Sequence, residues 1–288
     1  MILSVNAYGV RGELACGSCL PFMDWLEGIG ATGLEPMMAL AETQEDVRDQ
    51  WVWSLTRCRE IMDAYQGKLE VPSAHLWPYI NRELATPDLM ADYISRYYEI
   101  SGIEEYVASR AALTAEDART LGRFLAETNR RLEDVPARLS YHPHNNELHA
   151  MDGGIRQIDL IRVEAGEGFL LQYDMGWGWF SGADEIALAE EFAEDITMLH
   201  LKDFSAQAYT FRGRSRKELP VSAFAPVGAG VVRNADFVRM AQEGRFPLWN
   251  GVIALDQDAG AYGICEDIRR GVENVCRMVG AASVNEEE

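Results

Sequence analysis

The chain has 288 residues, 48% hydrophobic and 25% charged, which is ordinary usage for a globular protein. Its 46 acidic and 26 basic side chains give a formal charge of −20, which repels phosphate backbones and argues against nucleic acids and anionic membranes as partners. There is no run of ~18 apolar residues and no basic leader before an apolar stretch, and the five cysteines are irregularly spaced, so the sequence predicts a cytoplasmic chain with neither a membrane span nor a disulfide framework.

Apolar runs of strand length recur at 2–8, 32–37, 68–77, 103–109, 138–144, 168–174, 196–202 and 251–256. Between them lie segments with helical spacing, at 44–67, 114–132, 183–194, 235–244 and 264–280. In 44–67 the apolar positions are Val47, Trp51, Leu55, Cys58, Ile61, Met62 and Tyr65. Thr114 stands where it can cap a helix, with Asp117 three residues on. Alternating strands and helices imply a parallel sheet, either open and doubly wound or closed into a barrel. The landmarks Tyr8, Glu35, His75, Tyr106, His142, Asp174, His200 and Asp256 are spaced by 26–40 residues, with one gap of 56 after the seventh. That spacing is one βα unit each, and no Gly-x-Gly-x-x-Gly turn follows the first strand. The expectation is a single α/β domain, a (β/α)8 TIM barrel over 1–282, with an acidic, disordered tail at 283–288.

Candidate chemistry gathers at the predicted C-terminal strand ends, the face that carries active sites in such barrels. His142 and His144 are two apart in Arg-Leu-Ser-Tyr-His-Pro-His, so a strand would turn both to one side. Asp174 ends one apolar run and is expected to open a Gly-rich aromatic loop. His200 shares a face with Lys202, and Asp256 with Asp258. Polar groups ending apolar runs are costly inside a barrel unless they are paired or ligate a metal. The expected metal set is His142, Asp174, His200 and Asp256. Its mixed imidazole and carboxylate character suits a divalent metal, Mn²⁺ first, with Zn²⁺, Co²⁺ and Mg²⁺ as the other candidates.

The motifs Thr32-Gly-Leu-Glu35, Ser73-Ala-His75, His142-Pro-His144-Asn-Asn-Glu147, Tyr173-Asp174-Met-Gly176, His200-Leu-Lys202-Asp203 and Leu255-Asp256-Gln-Asp258 occur in that order. Over roughly residues 1–280 the chain thereby resembles the xylose isomerase-like TIM-barrel superfamily, in its sugar phosphate isomerase/epimerase branch. The resemblance implies a divalent metal at the barrel mouth, held from strands five to eight, and a small-molecule carbohydrate substrate. It implies an isomerase or epimerase acting on a keto-sugar, polyol or sugar phosphate by proton abstraction next to a metal-bound carbonyl. Two family glutamates are replaced. Asp256 stands in the strand-eight column, and the strand-five column falls at or near His142. The family's Gly-Glu-Gly turn reads Gly228-Ala229-Gly230. A histidine pair can supply a base instead, because imidazole titrates near neutrality. A lyase or dehydratase acting by β-elimination on an oxidised sugar or inositol is the alternative, and a sugar-binding barrel without turnover is a third.

The expected catalytic residues are therefore His142, His144, Glu147 and Lys202. The expected substrate contacts are Glu35, His75, Trp77, Trp177 and Arg212. Arg212 belongs to a basic run, Phe-Arg-Gly-Arg-Ser-Arg-Lys, in the long segment after strand seven. That run reads as a seat for an anionic substrate group, as a solvated lid edge, or as a charge match to an acidic neighbouring subunit in a homo-oligomer. Cys16 and Cys19 form a CxxC with no second pair, a weak zinc signal.

Overall fold

The computed structural model describes residues 1–15, 19–80, 83–150 and 154–284. The tail at 285–288 and Cys16 lie outside the described residues. The barrel strands are β1 (Ile2–Asn6), β2 (Gly33–Glu35, continuing as Met37–Met38), β3 (Ser73–Leu76), β4 (Glu105–Ala108), β5 (Arg138–Tyr141), β6 (Leu171–Asp174), β7 (Ile196–Leu201) and β8 (Val252–Leu255). All pair in parallel, and β8 returns to β1 with Ile2 opposite Val252.

Pro36 divides β2. Proline has no N–H to give to a ladder and breaks regular pairing. The half before it pairs with β1, setting Glu35 opposite Asn6, and the half after it pairs with β3, setting Met37 opposite His75. The Pro36 carbonyl still accepts from the His75 N–H at 2.9 Å. The nine short segments are thus eight barrel strands, the predicted (β/α)8 closure.

The interior of this barrel is polar in layers. In the lower layer the Glu105 carboxylate accepts from Thr197 Oγ1 at 2.8 Å and pairs with Arg138, while Ser140 and Thr197 share a hydrogen bond of 2.9 Å. The inward positions then follow the two-residue strand period upward: Ser140 to His142 on β5, and Gln172 to Asp174 on β6. On β7 the register shifts between Ile196 and Met198, and Thr197 and His200 both enter the interior networks.

Local structure departs from the sequence expectation in two places. The segment 44–67 is helical only over Leu55–Ala64, opened by Ser54, whose Oγ accepts from Arg57 N at 3.1 Å. The residues before it are held at the barrel edge instead: Trp53 N donates to Met37 O, and Ala39 N to Trp53 O. Val47 and Trp51 are nonetheless buried there, which is why the apolar pattern runs on. After Asp174 the chain forms a short helix, Met175–Phe180, rather than a loop. Gly176 is required, since a Cβ there would lie 2.6 Å from Lys202 Cβ. The predicted cap at Thr114 is present, accepting from Asp117 N at 3.1 Å.

The long segment after β7 contains only short 3-10 turns and is organised by Asp203. Its buried carboxylate accepts four backbone N–H groups, from Phe204 and Val232 on Oδ1 and from Gly228 and Gly230 on Oδ2, at 2.9–3.0 Å. Glycine is needed at 230, where a Cβ would come within 2.2 Å of Asp203 Oδ1. Stranding several buried N–H groups costs about 1–3 kcal/mol each. Asp203→Ala should therefore lose ~3 kcal/mol or more in urea unfolding. Asp203→Asn should lose clearly less, because one oxygen still accepts; equal losses would refute this account.

Candidate active site

At the C-terminal end of the barrel a cavity of about 570 Å³ is lined by His75, His142, His144, Trp177, His200 and Asp256, among others. Glu35 is fully buried beneath the cavity floor. Its Oε1 accepts from Ser73 Oγ at 2.8 Å and Gln172 Nε2 at 2.7 Å. Its Oε2 accepts from Asn6 Nδ2 at 2.7 Å and His200 Nε2 at 3.0 Å, with His75 Nε2 at 3.3 Å. Burial alone would raise the Glu35 carboxyl, but the facing imidazoles of His75 and His200 hold it well below the usual range. Every lone pair is engaged, so Glu35 is a support under the site rather than the substrate contact expected from sequence.

Gln172 connects this support to two histidines. Its Oε1 lies 3.0 Å from His75 Nε2 and 2.9 Å from His142 Nδ1. The sequence reading missed this residue; its one signal is its position two before Asp174, on the same strand face. His75, His142 and His200 pack edge to face or tilted, with ring centroids 4.7–5.7 Å apart.

Above them, one ligand atom each from His142, Asp174, His200 and Asp256 lies within 4.8 Å of all the others. His200 Nδ1 stands 3.4 Å from Asp174 Oδ2 and 3.5 Å from Asp256 Oδ2. Asp174 Oδ1 is engaged as the helix cap, accepting from Trp177 N at 2.7 Å, which leaves Oδ2 for the site. Asp256 Oδ1 is buried and meets no hydrogen-bond partner among the described residues. Burial alone would lower His200, but the Asp174 and Glu35 carboxylates raise it to about 10. A second grouping, His75 with His142 and His200, is equally close but lacks a carboxylate.

Lys202 is buried, with Nζ 2.7 Å from both Asp256 Oδ2 and Asp258 Oδ2 and 5.1 Å from the centre of the Trp177 ring. Burial would lower its pKa, but the two aspartates raise it above the ordinary lysine value. It is a fixed cation paired with the two carboxylates, where the sequence led to the expectation of a catalytic group. Glu147 is turned away from the cavity and accepts from His144 N at 2.8 Å and Ala112 N at 3.2 Å. It holds the backbone that carries His144, and burial pushes its carboxyl up to about 7. His144 stands beside His142 and Trp177, at 5.1 and 5.6 Å between ring centres, with Nδ1 buried and unpartnered among the described residues. Burial, then the charges of Arg216 and Lys202, hold His144 well below the ordinary imidazole value. Trp77 lines the cavity mouth. Arg212 does not: it donates to the carbonyls of Trp179 and Ala183 at 2.7 and 2.5 Å and stacks on Trp179. Arg216 and Lys217 of the same basic run line the cavity instead.

No protein-family model matches the chain. Among curated proteins it is 26% identical over 188 residues to a rhizopine catabolism protein, MocC, from Rhizobium meliloti; the match covers 63% of this chain and 56% of that protein. Among solved structures it superposes on a sugar phosphate isomerase/epimerase from Parabacteroides distasonis with TM-score 0.71, at 14% identity over 94% of both chains. It superposes on a probable 3-DHS dehydratase, AsbF, from Bacillus anthracis with TM-score 0.67, at 11% identity over 96% of this chain and 99% of that one. A zinc-bound IOLI protein matches with TM-score 0.65, at 13% identity over 98% and 99%. Eight parallel strands closed at a divided second strand, over nearly the full length of such neighbours, give this chain the fold of the xylose isomerase-like TIM barrels.

Proposed function

We propose that the protein is a divalent-metal-dependent sugar-modifying enzyme. On this reading it isomerises a keto-sugar or keto-polyol by moving a proton next to its carbonyl. The observation that carries the reading is the spacing of His200 Nδ1 from Asp174 Oδ2 and Asp256 Oδ2, 3.4 and 3.5 Å. Those distances are long for N–H···O bonds, which cluster at ~2.7–3.2 Å. They suit two donors to one ion, since bonds of ~2.1 Å at tetrahedral angles put ligands about 3.4 Å apart. The orphaned, buried Asp256 Oδ1 fits the same picture.

His142, Asp174, His200 and Asp256 would hold the metal, and Mn²⁺ or Zn²⁺ suits their two imidazoles and two carboxylates. When bound, the ion supplies Lewis-acid polarisation of a carbonyl and its neighbouring hydroxyl. Lys202 Nζ bridges Asp256 and Asp258 and orients both. Trp177 and Trp77 offer ring faces to the apolar side of a sugar. His144 is the base: held neutral by burial, its ring, which lines the cavity, takes the proton from the carbon beside the carbonyl and returns it to the carbonyl carbon, while the proton of the neighbouring hydroxyl passes to the carbonyl oxygen. No glutamate lines the cavity among the described residues, so epimerisation between two facing glutamates is not the reading adopted. A transfer on one face by one base is.

Elimination of water is the second reading, because Asp258 also lines the cavity and burial raises its carboxyl, which favours an acid there. The rhizopine-catabolism and dehydratase relatives are compatible with it.

Protein purified without chelators should carry about one Mn²⁺- or Zn²⁺-type ion per chain, and Asp174→Asn and His200→Ala should each lose it. Failure of metal analysis to find an ion after loading with either would sink the mechanism. His144→Gln should retain the ion while turnover falls about 10²–10⁴-fold, the usual worth of a positioned base. In D₂O, keto-sugars and keto-inositols should gain solvent deuterium without losing water. Loss of water with a new enone absorbance would select elimination, and neither change would reject both.

A further inference from the structure

Most of the cations in this chain are committed. Among the described residues sixteen lysines and arginines form ion pairs with carboxylates, Lys202 among them. The cavity departs from this pattern. Arg11, Arg216 and Lys217 all line it, and none has a carboxylate within ion-pair distance among the described residues.

Arg216 and Lys217 are not on a free strap. They begin a 3-10 turn, Arg216–Glu218, whose preceding Ser215 accepts from Lys217 N at 3.4 Å. Asn145 Nδ2 donates to Arg214 O at 3.0 Å, which ties this stretch to the residue after His144. The other end of the segment is fixed by Asp203 and by Phe204, which packs against Trp177, Trp179 and Phe224. A nearby third cation, Arg110, has a buried Nη1 without a partner among the described residues and acts electrostatically on Tyr79, as Arg216 does. Tyr79 lines the same cavity.

We infer that the mouth of this cavity is a seat for an oxyanion on the substrate, with Arg216 and Lys217 as its two principal donors. The substrate class is then an anionic keto-sugar or keto-polyol, bearing a carboxylate or a phosphate at the end remote from the metal-type cluster. The inference rests on the proposed function for the identity of the rest of the substrate, but the anion seat itself does not. A guanidinium and an ammonium that form no ion pair among the described residues, though Asp258 of the same cavity feels the Arg216 charge, recognise such groups through charge-assisted hydrogen bonds. They also steer anions into a molecule whose overall charge repels them.

The test is equilibrium binding of inorganic phosphate at low ionic strength to the wild type, to the double variant Arg216→Ala/Lys217→Ala, and to Asp174→Asn. Both basic residues are exposed, so the double variant should fold, and far-UV circular dichroism checks it. Phosphate should bind the wild type and Asp174→Asn alike, and bind the double variant at least about ten-fold more weakly. No phosphate binding by the wild type, or binding unchanged in the double variant, overturns the inference. Persistence in Asp174→Asn separates it from the metal reading, which can fail on its own. Titrations of the metal-loaded protein with fructose, 5-ketogluconate and fructose 6-phosphate then distinguish the source of the anion. The preferred anionic probe should exceed fructose by about ten-fold in the wild type and match it in the double variant; equal binding of all three by the wild type counts against the inference.

Discussion

The buried carboxylate of Glu35 sets the direction of every hydrogen bond in the barrel floor. A carboxylate held ionised only accepts, so the Gln172 group facing it at 2.7 Å is the NH₂. That orientation turns the amide oxygen toward His75 Nε2 and His142 Nδ1, and both must donate to it. His142 is thereby fixed as the Nδ1–H tautomer, with the lone pair on Nε2. His200 is fixed in the opposite sense, donating from Nε2 to Glu35 and presenting Nδ1 to Asp174 and Asp256. One acid under the floor thus presets two imidazoles to offer lone pairs to a common point, the outer-shell role that usually orients metal-bound histidines.

Charge explains why that point suits a cation. Glu35, Asp174, Asp256 and Asp258 converge there, all buried or nearly so, against one fixed cation, Lys202. Carboxylates this close raise one another's energy steeply at low effective dielectric. Protonation of His200, raised to about 10, relieves part of the excess. A divalent ion shared by His200, Asp174 and Asp256 relieves more of it and uses the lone pair that the proton would occupy. Asp256, one methylene shorter than the glutamate of the family pattern, is held from behind by Lys202.

Most of the barrel and the cluster were legible in the sequence because they follow strict periods. Strand ends recur at βα spacing, and polar residues that close apolar runs declare an inward, mouth-facing position; His142, Asp174, His200 and Asp256 were all visible this way. What sequence could not supply was which polar residues are already satisfied. Glu35 and Lys202 read as substrate groups because a motif shows residue type, while their engagement depends on Ser73, Gln172 and Asp258 from other strands and loops. Arg212 read as a substrate contact for the same reason, and carbonyls of Trp179 and Ala183 claim it. Helices at Cys19–Gly28, Pro87–Ser101 and Gln157–Ala165 went unread. Their apolar stripes are interrupted by polar and aromatic residues, and barrel packing makes up for weak local periodicity.

On the proposed function, the lack of a glutamate in the cavity lining among the described residues bears on stereochemistry as well as on metal binding. Two bases on opposite faces of a substrate carbon permit inversion at that carbon. His144, whose ring lines the cavity, is the base of the proposed function, and its backbone is pinned by Glu147. A base fixed at one side delivers the proton to the face from which it took it. On the proposed function, with His144 as the one base, the consequence is retention of face in a shift between neighbouring carbons.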